Sequence, residues 1–297
     1  MKSLLFTGGT GFLGNNARPV LDKNYNVTTI GIGPHDDLNA NFVTDVPKLP
    51  QKYDVVLHAA GKAHIYPKTP EECQAFFDVN YKGTVNLCKA LENVGVPKTF
   101  VFISTSAVYG VENGDFLTED NPLLGDSPYA KSKIMAEEFL QKWCSKHGVI
   151  LGILRPSLIA GKNAPGNLGA MVRGIRTGAY LSINHGKARK SLLMAEDIGR
   201  IVPLIENVGG IYNVCDSDHP SFGQLESIIA NQLGKRKPIS IPMWIAKLLG
   251  YIGDILPLFP INSQRLYKIV TSDTLSNEKA CKVLGWEPLS SLKNYHI

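Results

Sequence analysis

Short apolar runs alternate with longer stretches whose apolar positions recur every three or four residues. This pattern carries through the first half of the chain. Leu4-Leu5-Phe6 is a strand-length apolar run that breaks into the glycine-rich Gly8-Gly9-Thr10-Gly11. Phe12 to Leu21 follows with helical periodicity, and Pro19 inside it marks a short or irregular segment. Asn26–Ile30 reads as a second strand, Asn41–Asp45 as a short third and Tyr53–His58 as a clear fourth. Helical pattern then spans Glu71 to Asn93. Asn80 in its middle is locally unfavourable, so its side chain is expected to bond a backbone group and open the helix. Thr99–Ser104 is a strongly apolar fifth strand. Ser127-Pro128 starts a helix, with Ser as the cap and Pro in the first turn; it carries Tyr129, Lys133, Glu137 and Glu138. Val149–Leu154 is the sixth strand and runs into Arg155-Pro156.

This alternation predicts an α/β fold with a parallel, doubly wound sheet. From Ser157 the pattern loosens. Residues 1–156 therefore read as a nucleotide-binding unit and 157–297 as a smaller α/β substrate-binding region, some of whose elements can return to the first. Gly161 to Lys190 is glycine-rich and basic. Ala195–Arg200 begins a helix, Ile211–Val214 is a strand and Phe222–Leu233 a helix. In Pro238–Ile261, Trp244, Ile245, Leu248, Leu249, Ile252, Ile255 and Leu256 form an apolar stripe at helical spacing, with Lys247 and Asp254 off it. The favoured reading is a helix packed on the second domain; the sharper one is an interfacial helix at a membrane surface, covering 243–256. Pro242, Pro257 and Pro260 exclude a simple span.

Composition narrows the class. A chain of 297 residues with 44% hydrophobic content supports one large unit or a nucleotide domain with a companion. Charged residues have no long single-sign run, and the net charge of +5 fits phosphate-bearing ligands without calling for nucleic acid. Cys73, Cys88, Cys144, Cys215 and Cys281 are odd in number, far apart and without a C-x-x-C, so neither a zinc site nor a disulfide framework is expected. A reducing cytoplasm is the simplest location. No secretory leader and no membrane-length apolar run is expected from the pattern.

The candidate chemistry lies at strand ends. Gly8, Gly11 and Gly14 are three apart. Gly8 suits a tight turn, Gly11 lets a pyrophosphate approach, and Gly14 lets the helix lie close to the sheet, where orphan N–H groups attract anions. Gly31 stands where an acid for the adenosine ribose often ends the second strand, and no Arg follows it. Asp36 or Asp37 can reach from the loop, so the choice between NAD and NADP stays open. Asp45 is an acceptor for an adenine amino group or an ordinary capping residue. Ala59, Ala60 and Gly61 offer a floor for ribose and phosphate. Ser104, Thr105 and Ser106 arrive together at another strand end. Tyr129 and Lys133 share a helix face. A phenol with a pKa of about 10 is a poor base, but a neighbouring ammonium and a cationic nicotinamide favour the phenolate, giving a general acid/base. Taken alone, the pair is more simply an ordinary surface pair. Arg173, Arg176 and Arg189 fit a diphosphate-binding face or a solvated loop equally well.

Thr7-Gly8-Gly9-Thr10-Gly11-Phe12-Leu13-Gly14, Ser104-Thr105-Ser106-Ala107-Val108-Tyr109-Gly110 and Tyr129-Ala-Lys-Ser-Lys133 occur in order at compatible spacing. Together they closely resemble the extended short-chain dehydrogenase/reductase family, in its NAD-dependent epimerase/dehydratase group acting on nucleotide sugars. Arg155-Pro156, Ala195-Glu-Asp197, Tyr212-Asn213-Val214 and Leu284-Gly-Trp-Glu-Pro288 are weaker landmarks of the same group. The resemblance covers nearly the whole chain and implies a Rossmann-type sheet. It implies Tyr129 as acid/base, Lys133 as ribose ligand and modulator of the phenol, Thr105 as hydroxyl partner and Asn80 as support. It also implies cofactor contacts from Phe12, Leu13, Asp45, Val46, Pro156 and Leu158, a substrate contact from Ser106, and a homodimer.

Dehydratases of this group carry an Asp-Glu pair directly after the Thr, where this chain has Ser106-Ala107. That argues against dehydration. The leading expectation is NAD(P)-dependent 4-epimerisation of a nucleotide- or lipid-diphospho-sugar in polysaccharide synthesis, in the cytoplasm or at the inner face of the membrane. The alternatives are an NADPH-dependent 4-keto-sugar reductase, a dehydrogenase of a non-sugar alcohol, and a catalytically silent NAD(P)-sensing or scaffold protein.

Overall fold

The computed structural model describes every residue except 64 and 257–261, together with every side chain of those residues but that of 265. Pro257, Pro260 and Ile261 of the apolar segment thus lie outside the described residues. In chain order the strands are β1 (Lys2–Thr7), β2 (Tyr25–Gly31), β3 (Leu38–Asn39), β4 (Val55–His58), β5 (Thr99–Ile103), β6 (Gly114–Leu117), β7 (Ile150–Pro156), β8 (Leu158–Ala160), β9 (Ser182–Ile183), β10 (Leu192–Met194), β11 (Gly210–Val214), β12 (Ser240–Ile241) and β13 (Asp273–Leu275). Seven of them form one parallel sheet in the order β11-β7-β5-β4-β1-β2-β3, and the others pair off as β8–β10, β9–β12 and β6–β13.

The helices are α1 (Phe12–Leu21), α2 (Pro70–Phe77), α3 (Gly83–Val94), α4 (Pro128–His147), α5 (Gly166–Thr177), α6 (Ala195–Ile205), α7 (Phe222–Gln232), α8 (Met243–Ile255), α9 (Ser263–Val270), α10 (Glu278–Leu284) and α11 (Ser291–Asn294). Both faces of the sheet are covered, which is why β1, β4 and β5 read as unbroken apolar runs. On one face Leu4, Phe6 and Leu57 pack with Ala17, Ile198, Ile201 and Trp286. On the other, Leu5, Val56 and Phe100 pack with Leu87, Leu91, Leu140 and Trp143. A separate core of Leu168, Met171, Leu192, Leu225, Ile229 and Tyr295 holds the C-terminal lobe. That lobe is not cleanly split off. β11 pairs with β7 along Gly210↔Gly152 to Val214↔Pro156, and Ile198 and Ile201 of α6 join the same core as Ala17 of α1.

Two elements differ from the sequence pattern. Asn41–Asp45 is not a strand. The third strand is Leu38–Asn39, and Asn41 Oδ1 accepts from the Val43 N–H at 3.0 Å, an Asx turn that ends the extended run. The long helix over 70–94 is continuous but widens into a π turn at Asp78–Lys82, centred on Asn80. Pro19 sits inside α1 without ending it. Among the described residues no helix is long and apolar enough to cross a membrane.

Candidate active site

The glycine turn is built for close approach. Gly8 has φ +74°, and a Cβ there would lie 2.9 Å from the Ala60 nitrogen. A Cβ on Gly14 would fall 2.1 Å from the Gly9 carbonyl oxygen, whereas Gly11 meets only the Gly8 carbonyl oxygen, at 3.3 Å. No side chain caps α1, so the first-turn N–H groups of Phe12, Leu13 and Gly14 face outward for an anion. Beside them, Asp36 Oδ2 accepts from Thr10 Oγ1 at 3.1 Å and from the Gly33 N–H at 3.0 Å. Its Oδ1 is buried with no partner. Asp37 Oδ2 accepts from both the Thr29 N–H and the Thr29 hydroxyl at 2.8 Å. Each acid thus accepts twice through Oδ2, and Asp36 is the one that packs on the glycine turn, through Thr10. Gly31 is small because a Cβ there would lie 2.6 Å from Asp36 Oδ2. Asp45 and Val46 occupy an exposed turn, where the Thr44 hydroxyl donates to Asp45 Oδ2 at 2.6 Å.

Ala59, Ala60 and Gly61 leave the end of β4 and are tied beneath by a polar chain. The Ala60 N–H donates to Thr7 Oγ1 at 3.0 Å, so the Thr7 hydroxyl proton goes to His58 Nδ1 at 2.6 Å. Thr84 gives its proton to the Asn80 carbonyl at 2.7 Å and so accepts from His58 Nε2 at 2.8 Å. This assignment makes His58 the neutral Nε2–H tautomer. Burial, with Lys133 nearby, pushes its pKa down to about 3. The Asn80 side chain accepts from the Lys62 N–H at 2.7 Å, and donates to the Lys62 carbonyl at 3.1 Å and to Ser132 Oγ at 2.9 Å. The π turn thus fastens the loop after β4 to α4. A Cβ on Gly61 would lie 3.0 Å from Asn80 Oδ1 and 3.4 Å from Lys133 Nζ, so these three groups converge.

Tyr129 enters in the first turn of α4, which Ser127 caps by accepting from the Ala130 N–H at 3.1 Å. The positive end of the helix favours a phenolate there. Thr105 starts the short turn Ser106–Tyr109, with Ser106 half-buried beside it. Burial raises the Tyr129 pKa, and a hydrogen bond with Thr105 opposes this. The Phe76 ring packs edge-on against Tyr129, at 6.2 Å between centroids. Lys133 Nζ donates to the Ile103 carbonyl at 2.8 Å and sits 4.6 Å from the centre of the Phe102 ring. The ammonium is thus held on the strand carbonyl, and the largest pull on the phenol comes from burial, not from Lys133.

Burial pushes Lys133 down to about 8, opposed by the Glu137 carboxylate. Between this value and the ordinary one of about 10.5 the unfolded chain holds the proton and the folded chain does not. Lys133 therefore makes stability rise with pH through that window. In turnover the sign is opposite, because the charged form is the useful one. We expect kcat/KM, which reports the free enzyme, to fall above about pH 8 as this ammonium is lost. A pH–rate profile flat to about pH 10 would remove the Lys133 charge from the requirement.

Beneath the site lies a buried network. The Ser104 hydroxyl donates to Glu137 Oε1. Arg155 donates to Glu137 through Nε at 3.1 Å and Nη2 at 2.6 Å, and through Nη1 to the Tyr109 oxygen at 3.2 Å. Tyr109 in turn donates to Asn213 Oδ1 at 2.6 Å. Glu137 lies two turns beyond Tyr129 on α4, a spacing that could have flagged it from sequence; Arg155, Tyr109 and Asn213 come from three other segments. Between Pro156 and Leu158, Ser157 Oγ is buried without a partner. The glycine cradle, the Asp36 carboxylate packed on it through Thr10, and this orphan hydroxyl together fit a dinucleotide.

The basic residues separate. Arg173 and Arg176 line a cleft of about 280 Å³ with Asn163, Val172 and Tyr295. Arg189 instead donates to the carbonyls of His219 at 2.9 Å and Asp218 at 3.1 Å.

A doubly wound sheet with this cradle and this Tyr–Lys helix defines a Rossmann-type NAD(P)-dependent enzyme. More narrowly, the chain belongs to the NAD-dependent epimerase/dehydratase family, whose model matches residues 4–215. It is similar to UDP-glucose 4-epimerase of Vibrio cholerae, at 29% identity over 98% of this chain and 92% of the relative. It is also similar to an Escherichia coli O157:H7 4-epimerase of N-acetylglucosaminyl-diphospho-undecaprenol, at 28% identity over 86% and 80%. Its fold matches the crystal structure of UDP-N-acetylglucosamine 4-epimerase from Bacillus cereus with a TM-score of 0.77, at 20% identity over 99% of this chain and 94% of that one.

Proposed function

We propose that the protein epimerises C4 of a sugar carried on a diphosphate, with NAD as the resident cofactor. The observation carrying this is a single acid/base centre. Tyr129 is partnered by Thr105, and the next two positions are Ser106 and Ala107, which offer no carboxylate pair for dehydration. Tyr129 takes the proton of the C4 hydroxyl, and Thr105 fixes the orientation of that oxygen. Bound NAD supplies reversible two-electron redox at C4. Lys133 holds the nicotinamide ribose at the Gly61–Asn80 corner. Once C4 of the turned 4-keto sugar is reduced again on its opposite face, Tyr129 would return the proton to O4.

The Asp36 carboxylate beside the glycine turn favours NAD, since a negative charge there repels a 2′-phosphate. Asp45 and Val46 take the adenine, Ser106 the sugar, and Arg173 and Arg176 the diphosphate, with residues 157–297 as the substrate-binding region. The named relatives act on nucleotide-linked and lipid-linked sugars. The reading extends to a homodimer and to contact with the inner face of the membrane through 243–256.

Mass spectrometry of the cofactor that co-purifies tests this. Retained NAD, together with C4 interconversion of an added UDP-hexose, supports epimerisation. An empty protein that binds NADPH better than NADH makes it a 4-keto-sugar reductase.

A further inference from the structure

Helix α8 is inverted relative to an ordinary packed helix. Its small residues Ala246, Gly250 and Gly253 are buried. Trp244, Leu248, Tyr251 and Ile255 are 68%, 55%, 66% and 67% exposed. Their spacing of four, three and four puts these large side chains on one line, on the side of the helix away from the buried one. The reason lies on the inner side: a Cβ on Gly250 would lie 3.3 Å from Leu266 and 3.5 Å from Ser263, so α9 approaches too closely for anything large.

The border is positive. Lys235 and Arg236, just before β12, are exposed, as is Ile239 between them and the helix. Lys237 instead lines a cleft with Ser227 and Ile228 of α7. Lys247 flanks the apolar line. None of the ion pairs among the described residues uses Lys235, Arg236 or Lys247. Asp254, the one acid on α8, is tied down by accepting from the Ser263 N–H at 3.0 Å and the Ser263 hydroxyl at 2.5 Å.

We propose that this face docks the enzyme on an anionic lipid bilayer, with the apolar line entering the headgroup region and Lys235, Arg236 and Lys247 meeting lipid phosphates. The proposal gives the membrane contact of the functional reading its surface and its chemistry. An apolar face with a cationic border is the pattern of an interfacial helix. A second copy is the poorer occupant, because a two-fold contact through this face would set two cationic rims together. The placement suits a substrate held on a lipid. α9, on which α8 packs, carries Lys268, whose Nζ is 2.9 Å from Glu112 in the segment after Tyr109. The docking helix is therefore one helix away from the catalytic domain's loops.

The test is co-sedimentation of the whole protein with vesicles of phosphatidylcholine alone or with about one third phosphatidylglycerol. Tryptophan emission is read in parallel. Trp143 and Trp286 are 6% and 2% exposed, so a blue shift reports Trp244. We expect binding about tenfold tighter to the anionic vesicles, accompanied by the shift. Lys235→Glu with Arg236→Glu, and separately Trp244→Ser with Leu248→Ser, should each weaken it about tenfold. Cofactor binding of the same variants shows that they are folded. No sedimentation of the native protein, equal binding to neutral vesicles, or a dimer dissolved by the Trp244–Leu248 pair of changes would overturn the proposal. Turnover of a soluble UDP-hexose is read separately, so loss of the C4 reading and loss of the docking surface are distinguishable.

Discussion

Tyr129→Phe is expected to lower kcat about a thousandfold while cofactor affinity stays within about twofold of native. The change deletes one oxygen. It leaves the ring that packs on Phe76, the Ser127 cap of α4 and the Lys133 contact with Ile103 in place. Only the proton acceptor for the C4 hydroxyl is lost. A positioned general acid/base contributes roughly a hundredfold to ten-thousandfold, and no carboxylate stands at Ser106 or Ala107 to replace it. Steady-state kinetics with a co-purified cofactor assay separate the two effects. Unchanged turnover would remove Tyr129 from the mechanism and favour a sensing or scaffold role.

The second large effect is on stability. Glu137→Leu is expected to cost about 3–5 kcal/mol, measured by urea unfolding. Glu137 is fully buried and Arg155 nearly so, and the carboxylate takes two Arg155 hydrogen bonds at 3.1 and 2.6 Å besides the Ser104 hydroxyl. Removing it strands a guanidinium inside the sheet edge. The partner change Arg155→Met, made together with Glu137→Leu, should recover much of the loss, since a buried pair replaced whole by apolar groups is far less costly than one broken. Because Glu137 also holds the Lys133 proton on, the single variant should shift the alkaline limb of kcat/KM to lower pH. A single variant as stable as native would show that this network carries little of the fold.

The glycine turn, the strand sequence and the Tyr–Lys spacing were readable because each is local. Strand ends and helix starts follow from a few neighbouring residues, and four-residue spacing fixes a shared face. Asn80 was legible as a disruption, since an amide in mid-helix announces another partner; that the partner is the backbone of Lys62 was not. Asp36 and Asp37 are adjacent and chemically alike in sequence. Only the folded structure ties Asp37 to Thr29 of β2 and sets Asp36 against Thr10 of the glycine turn. The third strand was misplaced because β-forming residues at Phe42 and Val43 lost to the Asx turn of Asn41.

The apolar stripe at 243–256 shows the division most clearly. The sequence by itself put Trp244, Leu248 and Ile255 in one apolar stripe with Ile245, Leu249 and Ile252, because periodicity is a property of the chain; the structure half-buries those last three and adds Tyr251 to the exposed line. Which face is inward is a property of the neighbour. The close approach of α9 to Gly250 selects the small side and turns the large one outward. In the same way the sequence determined an α/β nucleotide fold with a Tyr129–Lys133 pair. Only the tertiary structure decided that burial, with Glu137 acting on the lysine and Thr105 on the phenol, sets the protonation of that pair.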